Sequence, residues 1–238
     1  MKKFDYISVL AGGTCKFNCS FCIGDDIRKN KSPHFSTKYK SFIECFSDMT
    51  DLLSVSGDTS DPSFVTETKD IPKIAKSFNP NIKVTLHTRN IKCLDEAFDC
   101  GYDKFVFSVD EDFYDKFTQE DIFNLVKIKD KLRFSIVVTS SNFGYMVGDE
   151  LLISKLSKDF PNAQITLRPE VSESEHIVKC LESMGIWVPM ENGAMYLKEN
   201  KNVWLWDYKQ TNTNLNVRYL FSNGKISSNC EWDRIASK

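Results

Sequence analysis

The chain has 238 residues, of which 41% are hydrophobic and 27% charged, and its formal net charge at pH 7 is −2. This length and composition are typical of one folded globular domain with a buried core. A charge so close to neutral gives no reason to expect a partner in DNA or RNA, and no apolar run is long enough to cross a bilayer. The first residues lead directly into a strand-like run with no targeting segment, so we expect a cytoplasmic protein with no membrane partner.

Short runs of β-branched or aromatic residues alternate with segments of helical periodicity through most of the chain. The predicted strands are residues 6–10, 52–56, 82–87, 104–109, 132–139 and 163–168. After each strand, apolar residues recur at the spacing of one helix face, as Phe42, Ile43 and Phe46 do after the first. Six strands that are each followed by a helix predict an α/β fold with parallel strands.

The segment from residue 186 onward has a different character. We predict short strands at 194–197, 203–206, 217–221 and 225–227, with a hairpin turn at Asn223-Gly224. This segment contains all four tryptophans, Trp187, Trp204, Trp206 and Trp232. We therefore expect a barrel-like main part at 1–185 and a small β-rich cap at 186–238, packed on it as one structural unit. The tryptophans either form the core of this cap or stack on a planar substrate.

Three cysteines follow the first predicted strand with the spacing C-x3-C-x2-C: Cys15, Cys19 and Cys22. Three thiolates on one short loop can hold three irons of a [4Fe–4S] cube and leave the fourth iron without a protein ligand. Disulfides among three such close thiols do not fit, and a zinc site needs a fourth ligand, whereas the nearest histidine is His34. The other five cysteines show no such pairing, so we expect one cluster.

This spacing, with the aromatic Phe21 directly before the third cysteine, resembles the radical S-adenosylmethionine (SAM) superfamily. The six βα units match the open, partial (β/α)6 barrel for which that superfamily is known. The resemblance implies a compact, single-cluster enzyme that cleaves SAM reductively at its [4Fe–4S] cluster. The product is a 5′-deoxyadenosyl radical, which abstracts hydrogen from a substrate. It also implies an external one-electron reductant such as flavodoxin or ferredoxin.

The resemblance further suggests which residues bind SAM. Phe21 matches the aromatic that lies near the adenine. The family typically has a Gly-Gly-Glu-like motif after the second strand, where it binds the SAM amino group, and this chain has Ser56-Gly57-Asp58-Thr59 instead. Gly57, Asp58 and Thr59 are therefore our candidates, although Ser replaces the first Gly and Asp replaces Glu.

Polar residues at the ends of later strands provide further candidates. Ser108 and Thr139 are placed to contact the SAM ribose, and Arg168 to pair with its carboxylate or with an acidic substrate group. Four more are candidates for contact with the substrate: His87, Arg89, Trp204 and Trp206. No catalytic residue is predicted.

The substrate that we favour is a small, nucleoside-like or heteroaromatic molecule. Two enzymatic alternatives are an activase that installs a glycyl radical on a partner protein and a peptide-modifying enzyme. A non-enzymatic alternative is an iron–sulfur redox sensor, which would have a fully ligated cluster and no affinity for SAM.

Overall fold

A computed structural model of the chain describes residues 3–17, 19, 34–110, 112–146, 152–170, 174–191, 194–206 and 215–228. The chain divides into two compact units. The first unit comprises Met1–Val106 and Asn216–Lys238, and the second comprises Phe107–Leu215.

The strands in the described residues are β1 (Tyr6–Ala11), β2 (Leu52–Gly57), β3 (Lys83–Thr88), β4 (Lys104–Val109), β5 (Leu132–Val138), β6 (Gln164–Pro169), β7 (Trp187–Pro189), β8 (Met195–Leu197), β9 (Asn200–Leu205), β10 (Val217–Leu220) and β11 (Ile226–Ser227). The α-helices in these residues are α1 (Tyr39–Phe46), α2 (Ile71–Phe78), α3 (Leu94–Asp99), α4 (Phe113–Lys116), α5 (Gln119–Lys127), α6 (Phe143–Met146), α7 (Leu152–Asp159) and α8 (Ser174–Glu182). The helices form where apolar residues have helical spacing, so that α1 buries Tyr39, Phe42 and Ile43.

In the first unit, the strand order is β11-β10-β1-β2-β3, followed by the start of β4, whose residues from Phe107 onward are counted in the second unit. Strand β1 pairs in parallel with both β2 and β10, and β2 pairs in parallel with β3. Strands β10 and β11 form an antiparallel hairpin. Its turn contains Gly224 at a φ of +79°, a conformation that favours glycine, and the predicted Asn-Gly hairpin is confirmed.

One face of this sheet carries polar side chains. Ser8, Ser54 and Thr85 are neighbours in the parallel register, and all three are buried. Residues two apart on a strand share a face, so Ser56 and His87 continue the same polar face toward the C-terminal ends of β2 and β3. The opposite face carries buried apolar residues that include Val9, Val55 and Leu86.

In the second unit, the strand order is β5-β6-β9-β8-β7. Strand β6 pairs in parallel with β5 and β9, whereas β8 is antiparallel to both β9 and β7. Phenylalanines form much of the core, with the rings of Phe134 and Phe160 centred 4.9 Å apart and those of Phe113 and Phe134 5.9 Å apart. Thr118 begins α5 with a capping box, in which its side chain and that of Asp121 each accept a backbone N–H.

The predicted α/β fold with a mostly parallel sheet is confirmed. All six main strands are present, and β4 has the predicted bounds. The described part of the predicted cap is shared between the units, since β7–β9 belong to the second and β10–β11 to the first. Among the described residues, no helix combines the length and apolar character needed to cross a membrane.

Candidate functional site

The predicted cluster ligands Cys15 and Cys19 lie on the loop that follows β1, in the first unit. We call residues 12–17 and 19 the cysteine loop. Neither cysteine is in a disulfide, and both are partly exposed. The loop leaves the C-terminal end of a parallel strand, which is where active sites of parallel α/β barrels are found. Two of the predicted residues, Phe21 and Cys22, lie outside the described part of the chain.

The start of the cysteine loop is fastened to the loop after β2. The backbone N–H groups of residues 58–60 all donate to the carbonyl oxygen of Ala11, at 2.9, 3.2 and 3.3 Å. The Thr59 hydroxyl accepts from Gly13 N at 3.0 Å and lies 3.3 Å from Gly13 O, to which it donates. Thr59, predicted to bind SAM, thus contacts the cysteine loop in this structure.

Two glycines allow close approaches of the backbone beside these loops, Gly57 within the loop after β2 and Gly12 next to His34 and Ser222. A Cβ on Gly57 would lie 2.6 Å from the carbonyl oxygen of Ser60. A Cβ on Gly12 would lie 2.4 Å from Ser222 Cβ and 2.6 Å from the carbonyl oxygen of His34. Any larger residue would force the backbone at these positions to move.

Asp58, the predicted partner of the SAM amino group, is buried with 5% of its surface exposed. Its Oδ2 accepts hydrogen bonds from the backbone N of Ser222 at 3.1 Å and from the Ser222 hydroxyl at 2.6 Å. Ser222 lies in the turn between β10 and β11. The carboxylate therefore fastens the C-terminal hairpin to the end of β2.

Asp61 connects the loop after β2 with the end of β3. Its Oδ1 accepts from Ser63 N at 2.9 Å and from the Thr88 hydroxyl at 2.7 Å, while Oδ2 accepts from Arg89 N at 2.7 Å. Arg89 Nη1 in turn donates to Cys19 Sγ at 3.1 Å. Arg89 was predicted to contact substrate, and the structure places its guanidinium against a predicted cluster ligand.

Sequence reasoning missed Asp61, although a signal was present. Asp61 precedes Pro62 and caps the 3-10 helix Pro62–Phe64, and Asp followed by Pro is a common helix start. This helix also packs on the cysteine loop: the rings of Phe17 and Phe64 are centred 5.2 Å apart, and Lys16 Nζ lies 5.3 Å from the Phe64 ring centre.

The donor set of the cysteine loop fits an iron–sulfur cluster. Thiolates are the usual ligands of such clusters, and the Arg89 cation offsets the negative charge that they bring. Within the described residues, no group of three or more His, Cys, Asp or Glu side chains could hold a metal ion. A cluster with three protein ligands would therefore need one from outside the described residues, and the motif nominates Cys22.

Two other cysteines of the first unit, Cys93 and Cys100, have a different chemistry. Cys93 donates its thiol hydrogen to the carbonyl oxygen of Asn90 at 3.0 Å. Burial raises the pKa of the Cys93 thiol to about 11, and burial also raises the pKa of Cys100. A thiol that stays protonated is a poor metal ligand.

The remaining predicted residues lie at strand ends, and no hydrogen bond seen here decides their role. In the first unit, His87 is partly exposed on the polar face that ends β3. In the second unit, Ser108 is partly exposed on β4, and the Thr139 hydroxyl accepts from Asn142 N at 3.2 Å in the turn before α6.

Trp204 is partly exposed, and its indole N–H donates to Lys201 O at 2.8 Å. Trp206 extends the ladder beyond β9 through a backbone N–H bond to Leu167 O at 2.8 Å.

A second polar face, which sequence reasoning missed, lies on β5 and β6. Its register pairs are Arg133 with Gln164 and Ser135 with Thr166, and Arg168 shares the face of β6 with Thr166. We call these five residues the β5–β6 polar face. Ser135 is 2% exposed and Thr166 0% exposed, yet neither hydroxyl has a hydrogen-bond partner among the described residues. The available signal was polar residues at alternate positions of otherwise apolar strands.

Comparison with known proteins identifies a shared fold. SuiB of Streptococcus suis, in a crystal structure bound to precursor peptide SuiA, aligns with a TM-score of 0.58 over 98% of this chain, at 12% identity. BtrN in complex with AdoMet and 2-DOIA aligns over 57% of this chain, with a TM-score of 0.41 and 16% identity. Selenomethionine-labelled BtrN in an open conformation aligns over 59%, with a TM-score of 0.39 and 15% identity.

The chain spans only about three fifths of the length of these solved structures, namely 61% of SuiB and 58% and 59% of the two BtrN chains. No protein-family model matches the sequence, and no curated protein matches it either. The alignment with SuiB shows that the two chains share a fold.

Proposed function

We propose that this chain is a radical SAM enzyme that holds one [4Fe–4S] cluster through Cys15, Cys19 and Cys22. The observation that carries the proposal is the cysteine loop itself. It presents two cysteines that are not in disulfides after the C-terminal end of β1, with the motif spacing, and it is fastened by loops from β2 and β3. The fold shared with SuiB gives independent support.

When bound, the cluster would supply the electron that cleaves SAM to methionine and a 5′-deoxyadenosyl radical, which abstracts hydrogen from the substrate. The residues of the chain determine where the cluster would be held. Cys15, Cys19 and Cys22 would hold three irons of the cluster and leave the fourth to bind SAM. The hydrogen bonds from residues 58–60 to Ala11 fix where the loop starts, and Phe17 packing on Phe64 fixes its course.

For the SAM amino group we propose the segment Gly57-Asp58-Thr59, as the motif position suggests. Asp58 has a second role, because its Oδ2 also binds Ser222. The variants Asp58→Ala and Ser222→Ala separate the two roles. Ser222→Ala removes the hydroxyl bond to Asp58 and keeps the bond from the backbone N–H of residue 222, whereas Asp58→Ala removes both bonds together with the carboxylate. If Asp58 binds the ammonium, SAM affinity falls more in Asp58→Ala than in Ser222→Ala; equal affinities would remove Asp58 from the SAM site.

For the substrate we propose a small, polar molecule. The β5–β6 polar face supports this choice, because the Ser135 and Thr166 hydroxyls have no partner among the described residues and favour a ligand that can hydrogen-bond to them. Arg168 on the same face suits a ligand with an acidic group. Phe21, Ser108 and Thr139 remain our candidates for SAM, and His87, Trp204 and Trp206 for the substrate.

A peptide substrate is the second candidate. SuiB, whose fold covers nearly all of this chain, was crystallised with a precursor peptide. The two candidates differ in what would stimulate turnover: a small polar metabolite for the first and a peptide for the second. Incubation with SAM and either a metabolite pool or a pool of short peptides, followed by mass spectrometry, distinguishes them.

The experiment that tests the proposed function is SAM cleavage. Protein reconstituted anaerobically with iron and sulfide should convert SAM to 5′-deoxyadenosine and methionine when a strong one-electron reductant is added. The matched control is Cys15→Ala, which should form neither product. A reconstituted wild-type cluster that forms no 5′-deoxyadenosine would support the redox-sensor alternative instead.

A further inference from the structure

The contact between Arg89 and Cys19 joins two loops that are 70 residues apart in sequence. The guanidinium Nη1 donates to Cys19 Sγ at 3.1 Å, and the contact is partly buried. The N–H group of a cation is a strong hydrogen-bond donor to a sulfur atom that carries negative charge. The same interaction also acts on a thiolate that is bound to iron, because hydrogen bonds to sulfur are among the factors that set cluster potentials.

The side chain of Arg89 extends from a backbone that is held in place. Asp61 accepts from Arg89 N with one carboxylate oxygen and from Thr88 Oγ1 and Ser63 N with the other. Thr88 is itself buried. The backbone of Arg89 is therefore held in one position. A donor that is already positioned binds the sulfur more strongly than one that must first be ordered.

We propose that Arg89 is a positioning residue that raises the reduction potential of the cluster through its N–H···S bond to Cys19. The inference rests on the proposed function. Reduction adds one electron, taken from an external one-electron reductant, and so adds one negative charge to the cluster. A nearby cation with a directed N–H group stabilises that added charge more than it stabilises the oxidised cluster.

The test is a redox titration of the reconstituted holoprotein, followed by electron paramagnetic resonance (EPR) of the reduced cluster. Arg89→Met keeps much of the side-chain length but removes the charge and the donors. At one solution potential its ratio of reduced to oxidised cluster should fall about tenfold, which is about 59 mV for a one-electron couple. Arg89→Lys keeps the charge without the planar fork, so its potential should lie between those of wild type and Arg89→Met.

The matched control is Lys16→Met, which removes a cation from the cysteine loop itself. Lys16 is exposed, and its Nζ lies over the Phe64 ring. Its loss should shift the potential much less, because solvent screens an exposed charge. A shift in Arg89→Met no larger than that in Lys16→Met would overturn the inference.

If Arg89→Met loses its iron, the test rests on Arg89→Lys. A potential in Arg89→Lys equal to that of the wild-type protein would then overturn the inference. Failure of this inference is distinct from failure of the proposed function. If wild-type protein binds a cluster and cleaves SAM while the Arg89 variants keep its potential, only the role of Arg89 is wrong. If wild-type protein binds no cluster, the proposed function itself is wrong.

Discussion

The two units differ in how their buried and half-buried polar groups are paired. Around the cysteine loop of the first unit, polar groups bind one another, as Asp61 does with Thr88 and Arg89. On the β5–β6 polar face of the second unit, the Ser135 and Thr166 hydroxyls have no partner among the described residues. A satisfied network holds a loop in one geometry, whereas unpartnered buried groups lower stability until a ligand binds them. The comparison suggests a first unit that positions a cofactor and a second unit that binds a polar ligand.

The largest expected effect is loss of the cluster. Wild-type protein should bind about four irons and four sulfides, as a cube with three protein thiolates requires. Cys15→Ala and Cys19→Ala should each abolish binding, measured by iron and sulfide content and by visible absorption. Cys45→Ala and Cys93→Ala are the controls, and both should retain the cluster. Loss of iron in either control would show that the assignment of the cluster ligands from the motif is wrong.

Removal of the Asp61 carboxylate tests whether the first unit depends on its closed network. Asp61→Ala leaves three donors without their acceptor and should lower the free energy of unfolding by about 3 kcal/mol. Glu44→Ala, an exposed carboxylate in the middle of α1, should change it by less than about 0.5 kcal/mol. Urea unfolding of the two variants measures the difference, and equal stabilities would show that the network is not needed.

The close approach of Gly57 to the carbonyl oxygen of Ser60, within the loop after β2, predicts that Gly57 does not tolerate substitution. Gly57→Ala places a Cβ 2.6 Å from a backbone oxygen and should destabilise the protein by about 2 kcal/mol. Gly144→Ala is the control, because a Cβ there meets nothing within 4 Å and alanine favours the helix. Its melting temperature should stay level or rise, and a similar fall in both variants would exclude steric contact as the cause.

A pair of buried threonines gives the sharpest comparison of the two units, with the smallest effect. Thr68 in the first unit donates its hydroxyl to Val65 O at 2.7 Å and also contacts Pro62 O at 2.9 Å, so Thr68→Val should destabilise by about 1 kcal/mol or more. Thr166→Val removes a hydroxyl with no described partner and should leave stability level or raise it by about 1 kcal/mol, while substrate turnover falls. Equal losses of stability would contradict the proposed difference between the units.

The sequence predicted the local elements well, because strand-forming runs and helical periodicity are local signals. Strand β4 has the predicted bounds, and the cysteines follow β1 as the motif required. Pairings between distant segments could not be read in this way. Nothing in residues 217–220 shows that β10 pairs with β1, and nothing near Asp61 shows that Arg89 and Thr88 are its partners. These contacts depend on how the strands are ordered, which periodicity does not encode.

The central claim is that the cluster has one iron without a protein ligand and that SAM binds to this iron. Binding of SAM can be observed without a substrate. The measurement is EPR of the reduced, reconstituted protein before and after SAM is added. We expect the spectrum of the reduced cluster to change on addition of SAM, because a new ligand reaches the iron that Cys15, Cys19 and Cys22 leave open. An unchanged spectrum at saturating SAM would mean that all four irons are already ligated, and it would contradict the proposed function.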